Sequence, residues 1–272
     1  MHLEMTHATE GAGASVAPVL SVSALTKRYR GGQGITDASI EVAPSALVGV
    51  IGPNGSGKTT LVHSIVGLLE PDAGEVLIDR SPAADLDAKC KLGFVPDELP
   101  LPSSLSGNEF IDYLARLQPG FDSEWKDYLC EILGLTDHLA RFIGDYSHGM
   151  KKKIQFVAAL AHTPRLLVLD EPFRGLDPEA AICIRALIDA HRARGGGVLV
   201  ATHDLLFAEQ FCTSVVILAD QRVAASGHPA ALREESGAAS LEEVFLHVSG
   251  LASQVLTVES GIAARFPVHA RL

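Results

Sequence analysis

Gly52-Pro53-Asn54-Gly55-Ser56-Gly57-Lys58-Thr59 decides the fold class of this chain. The octet has the spacing G-x-x-x-x-G-K-[S/T] and joins two segments of different periodicity. Before it, Ala46 to Gly52 reads ALVGVIG, a continuous apolar run ending in glycine, as in a strand buried on both faces of a parallel sheet. After it, Leu61, Ile65 and Leu68 recur at helical spacing, so a helix is expected over Thr59 to Leu69, stopped by Glu70-Pro71-Asp72-Ala73-Gly74. In that setting glycines let the backbone curl so that successive N–H groups point inward, and the helix N-terminus adds its positive end. The result is a cradle for phosphate oxygens running from Gly52 to Thr60, in which Lys58 neutralises the outer phosphates and Thr59 ligates Mg²⁺.

Working outward, Val19 to Tyr29 and Ile35 to Ala43 alternate apolar and polar residues around Gly31-Gly32, which predicts two half-buried antiparallel strands. Further strand-like pieces lie at Val76 to Ile78 and Leu92 to Val95. From Ser106 to Leu160 the pattern turns helical. Phe110, Tyr113, Leu114 and Leu117 share one face, Leu129, Ile132 and Leu133 another, and a third helix starts near Ser147. Strand and helix then alternate again, with apolar runs at Leu166 to Leu169, Val198 to Ala201 and Val215 to Leu218, and a helical face of Ile184, Leu187, Ile188 and His191. Such alternation implies a parallel sheet wrapped by helices. One more helix is expected over Ser240 to Val248.

The chain has 272 residues, 47% of them hydrophobic and 20% charged, enough for one large globular domain. Its 22 Lys and Arg against 33 Asp and Glu leave a formal charge of -11, which argues against a nucleic-acid partner. Cys90, Cys130, Cys183 and Cys212 are far apart without a C-x-x-C pair, so they read as buried, reduced thiols. No apolar run approaches the roughly 18 residues that cross a bilayer. The start, MHLEMTHATEGAGASVAPVL, lacks the pattern of a secretory signal, so a cytosolic location is expected.

Two further motifs carry chemistry. RLLVLDEP, Arg165 to Pro172, delivers Asp170 and Glu171 at the C-terminal end of an apolar strand, where parallel sheets hold their ligands. Phosphoryl transfer needs charge neutralisation and a positioned water, so Asp170 reads as the Mg²⁺ holder and Glu171 as the general base. Thr202-His203-Asp204 closes the next apolar run and brings the His203 imidazole to the same edge.

Together these motifs, in this order, resemble the nucleotide-binding ATPase of ABC transporters over roughly Val19 to Leu232, with GLDP at Gly175 to Pro178. Tyr146-Ser147-His148-Gly149-Met150-Lys151-Lys152 aligns with the family's LSGGQ signature. The resemblance implies an α/β fold: a P-loop NTPase parallel-sheet core with an antiparallel β subdomain and an inserted α-helical subdomain at about 98–162. It divides the chain into a flexible start at 1–18, the ATPase domain at 19–232 and a short C-terminal extension at 233–272. It implies ATP and Mg²⁺ as ligands, Ser147 and Gly149 as contacts to the nucleotide of a second, identical subunit, and Tyr29 as the aromatic that stacks on adenine, an edge-strand tyrosine without that role being the alternative.

Four positions depart from the pattern. The signature holds Tyr146, His148 and Met150 in place of leucine, glycine and glutamine, and Asp97 occupies the place of the Q-loop glutamine, as a further Mg²⁺ or water ligand. These departures and the ending SLEEVFLHVSG look like the ABC-2 type exporters. The implied function is ATP hydrolysis that powers substrate translocation, with export the expected direction, through a separate transmembrane permease that docks near Asp97 to Leu105 and keeps the ATPase on the inner face of the cell membrane. A soluble ABC ATPase without a transport role, or a nucleotide-sensing regulatory subunit, is the alternative. Lys151 to Lys153 reads as a solvated helix face.

Overall fold

The computed structural model describes residues 17–98 and 100–265. Its first strands, β1 (Leu20–Arg28) and β2 (Gly34–Val42), pair antiparallel, and β3 (Leu47–Ile51) leads into helix α1 (Lys58–Ile65). Then follow β4 (Ala73–Ile78), β5 (Ser81–Pro82), α2 (Leu86–Cys90) and β6 (Leu92–Val95). The helical block consists of α3 (Gly107–Leu117), α4 (Ser123–Ile132) and α5 (His148–Leu160). Alternation resumes with β7 (Leu166–Asp170), α6 (Pro178–Ala193), β8 (Gly197–Ala201), α7 (Leu205–Phe211), β9 (Ser214–Ala219) and β10 (Arg222–Gly227). The chain closes with α8 (Pro229–Ser236), α9 (Leu241–Val248) and α10 (Ala252–Arg265).

The strands form two sheets, β2-β1-β4-β5 and β10-β9-β3-β8-β7-β6. The first is antiparallel; in the second only the β10–β9 pair is, and the rest run parallel. Both faces of the second sheet are covered, which explains the unbroken apolar runs. Leu47, Ile51, Leu167, Leu169, Val198 and Val200 face a core shared with the helical block and α6. Val48, Val50, Leu166, Val168, Leu199 and Ala201 face a second core, shared with α1 and the antiparallel sheet. The strand period of two sends alternate residues of one run to opposite cores.

Several expectations change. Helix α1 ends at Ile65, because Gly67 takes φ +73°, and Leu68 is left 64% exposed instead of packed. On α3 the residue that enters the core is Ile111, while Tyr113 and Leu117 face outward. The boundary expected at 232 falls inside α8, and Leu241 and Val244 of α9 join the main core, so the segment after 232 is packed against the two-sheet body as far as α9. Helix α10 has no strong apolar period and was not legible. The flexible start expected for 1–18 lies, up to residue 16, outside the described residues. All cysteines are free, but Cys90 and Cys183 are only half-buried, unlike Cys130 and Cys212.

Candidate active site

Strand β3 ends against the loop at Gly52, where a Cβ would lie 2.5 Å from Ser56 Oγ and 2.7 Å from the Leu218 carbonyl oxygen. Gly55 and Gly57 adopt φ +81° and +102°, conformations that side chains disfavour, and so turn the backbone into the first turn of α1. Gly57 caps α1 without a side-chain acceptor, so the first N–H groups of the helix are left for a ligand. Lys58 folds back over this loop, its Nζ donating to the Gly52 carbonyl at 2.6 Å and the Pro53 carbonyl at 3.2 Å. Burial lowers its pKa, against the pull of Glu171 and Asp170.

A cavity of about 420 Å³ opens over the loop, lined by Asn54, Gly55, Gly57, Lys58, Thr59 and Thr60. Tyr29 from the end of β1, Asp97 after β6, Asp170 and Glu171 at the end of β7, and His203 after β8 complete the walls. Parallel strands all present their C-terminal ends on one side, which is why residues so far apart in sequence meet here. Three other lining residues, Gln33, Gly34 and Arg174, carried no motif that would have marked them. Ser147 and Gly149 do not line this cavity.

Glu171 is held on three counts. Its carboxylate meets His203 Nδ1 at 2.8 Å, and Thr202 Oγ1 donates to its other oxygen at 3.3 Å. Its backbone has φ +45°, a strained conformation for a non-glycine residue, and its N–H donates to the Ala201 carbonyl of β8 at 2.9 Å. His203 remains 76% exposed on its side chain, free to reach a ligand. Asp170 is pushed up to about 6 by burial first and then by the charges of Asp97 and Glu171.

Asp97 divides its carboxylate. Oδ2 accepts from Arg174 Nη1 at 2.8 Å, while Oδ1 is buried and has no hydrogen-bond partner among the described residues. Thr59, Asp170 and this orphaned oxygen form a set of hard oxygen donors suited to Mg²⁺, which binds through one or two carboxylates and the substrate's own phosphates. Among the described residues no group of three or more His, Cys, Asp or Glu has the geometry of an all-protein metal site.

The lysine run is corrected at one position. Lys152 is 2% exposed, and its ammonium donates to the carbonyls of Pro96 at 2.8 Å, Asp170 at 3.3 Å and Asp97 at 3.4 Å. It ties α5 to the segment after β6 and to the end of β7. Burial lowers its pKa, opposed by Asp97, Asp170 and Glu171. In the loop before α5, Ser147 caps the helix by accepting from the Met150 N–H, and the His148 imidazole fills the space over Gly175 that a Cβ there would need.

A family profile described as "ABC transporter" matches residues 35–174. A second, described as "AAA domain, putative AbiEii toxin, Type IV TA system", matches the shorter stretch 140–209. The chain is 36% identical over 203 residues to YhcH of Bacillus subtilis, an uncharacterized ABC transporter ATP-binding protein, covering 74% of this chain and 67% of the other. It is 32% identical over 221 residues to the lipopolysaccharide export system ATP-binding protein LptB of Acidithiobacillus ferridurans, covering 79% and 92%. A solved ATP-binding subunit of an ABC transporter superposes with a TM-score of 0.80 at 31% identity, covering 85% of this chain and 99% of that one.

Proposed function

The chain belongs to the ABC transporter ATP-binding proteins, and from that premise we propose that it hydrolyses ATP with Mg²⁺ to drive export through a separate membrane-spanning permease. The observation that carries this reading is the convergence of Glu171 and His203, with Thr202 bonded to Glu171 behind them, across one cavity from the Lys58 loop.

The backbone N–H groups of Asn54, Gly55 and Gly57 and the start of α1 bind the polyphosphate, Lys58 leaves its carbonyl partners for the outer phosphates, and Tyr29, 42% exposed at the rim, stacks on the base. Mg²⁺, when bound, would neutralise charge on the phosphate oxygens, and Thr59, Asp170 and Asp97 are the residues that would hold it. Glu171 orients the attacking water and accepts its proton, and His203, held by Glu171, donates to the terminal phosphate as charge builds there. Strain at Glu171 and the Thr202 hydroxyl keep the carboxylate aimed before substrate arrives.

Ser147 and Gly149 lie outside this chain's own cavity, which supports their use by the nucleotide of a second, identical subunit in a closed dimer. Among the described residues no helix is long and apolar enough to cross a membrane, so the pathway is assigned to the permease, with this chain peripheral on the inner face of the cell membrane. The segment YSHGMKKK, Asp97 and the SLEEVFLHVSG ending support an ABC-2 type exporter, and the likeness to LptB, an export-system protein, agrees with that direction.

The test uses tagged Glu171→Gln protein in its native membranes with Mg-ATP. The variant retains ATP binding, loses turnover and co-purifies in gentle detergent with a polytopic membrane protein identified by mass spectrometry. Near-normal hydrolysis removes Glu171 as base; recovery from the soluble fraction alone removes the transporter reading.

A further inference from the structure

Arg174 has no part in the motifs read above, yet its guanidinium lines the nucleotide cavity beside Glu171, Asp170 and Lys58. Its side chain is 56% exposed and, among the described residues, engages only Asp97, through a single nitrogen, so the rest of its five-donor fork is available. Resting on the ATP-binding reading, we infer that Arg174 is a further phosphate-contacting residue: it exchanges Asp97 for the terminal phosphate when ATP enters.

Charge balance is the first argument. Asp97, Asp170 and Glu171 line the cavity against Lys58 and Arg174, so with Arg174 bound to Asp97 a polyphosphate meets net negative charge. The second is the relative strength of the two contacts. An ion pair this exposed is weak in water, whereas a guanidinium on phosphate gains charge-assisted, bidentate bonds. The third is which partner can move. Asp97 is pinned, because its carbonyl accepts from the buried Lys152 and its side chain is mostly covered. Arg174 sits on the turn after β7, its N–H donating to the Glu171 carbonyl at 3.3 Å, so its long side chain swings from a base beside the proposed general base. That is the end of the cavity where the terminal phosphate belongs, since Asp170 and Glu171 stand there and the charge of Asp97 acts on Asp170.

The contact discriminates ATP from ADP, and binding is measured by calorimetry on the full chain in EDTA, so that no metal enters. Arg174→Gln is expected to weaken ATP about tenfold while ADP changes less than about twofold. Arg174→Lys, which keeps the charge without the fork, falls between. Asp97→Asn raises ATP affinity more in the wild-type background than in Arg174→Gln, because only the former has an arginine to release. Equal losses of ATP and ADP in Arg174→Gln, or equal gains from Asp97→Asn in both backgrounds, would overturn the exchange. If the wild-type chain binds neither nucleotide, the ATP-binding reading itself fails, a result distinct from either of those.

Discussion

Replacing Asp170 by Asn separates what the carboxylate does for ATP from what it does to the fold. Burial and the neighbouring charges of Asp97 and Glu171 push this carboxyl from 3.8 up to about 6. At 1.36 kcal/mol per pH unit, that gap corresponds to ~3 kcal/mol of disfavour for the charged form. Solvent reaching the partly exposed group screens it, leaving about 1 to 2 kcal/mol. Between pH 3.8 and about 6 the folded chain holds a proton that the unfolded chain has lost, so stability falls as pH rises through that window and the full cost stands above it. Asn cannot ionise. The nucleotide-free Asp170→Asn protein is therefore expected to melt roughly 2 to 8 °C higher than wild type at pH 7.5, with the gap closing as pH falls toward 4. Calorimetric or fluorescence melts at both pH values measure this, and Mg-ATP added at pH 7.5 should stabilise wild type far more than the variant. A variant that melts lower than wild type at pH 7.5, or an offset that is the same at pH 4, would refute the reasoning.

Lys152→Met removes the donor shared by three backbone carbonyls, with an expected loss of about 1 to 3 kcal/mol in urea unfolding; unchanged stability would mean that the ammonium does not anchor them. Ser147→Ala deletes the N-cap of α5 and should cost about 1 kcal/mol by the same measurement, whereas Ser147→Gly costs only a few tenths. Lys58→Ala should abolish ATP binding in the calorimeter without lowering the melting point, since Lys58 is a partly buried cation that only closes its own loop; retained ATP affinity would contradict its assignment.

The phosphate loop, the buried strands and the carboxylates of β7 were readable because each is a local pattern: glycines at fixed spacing, an unbroken apolar run, a strand ending in charge. A parallel sheet then converts chain order into place, so Glu171 and His203 meet without further information. Lys152 was misread because a run of three lysines carries no sign of which one faces inward; its partners lie 56 and 18 residues away, and only packing of α5 on the sheet brings their carbonyls to it. The same holds for Arg174 and Asp97, 77 residues apart, and for α9, whose Leu241 and Val244 look like a separate tail until they fill the main core. Local periodicity and motif spacing set the order of elements and the phosphate cradle, because those depend on backbone geometry within a few residues. The pairing of charges around the cradle was decided by the tertiary structure, because burial and distance exist only once the distant segments have packed together.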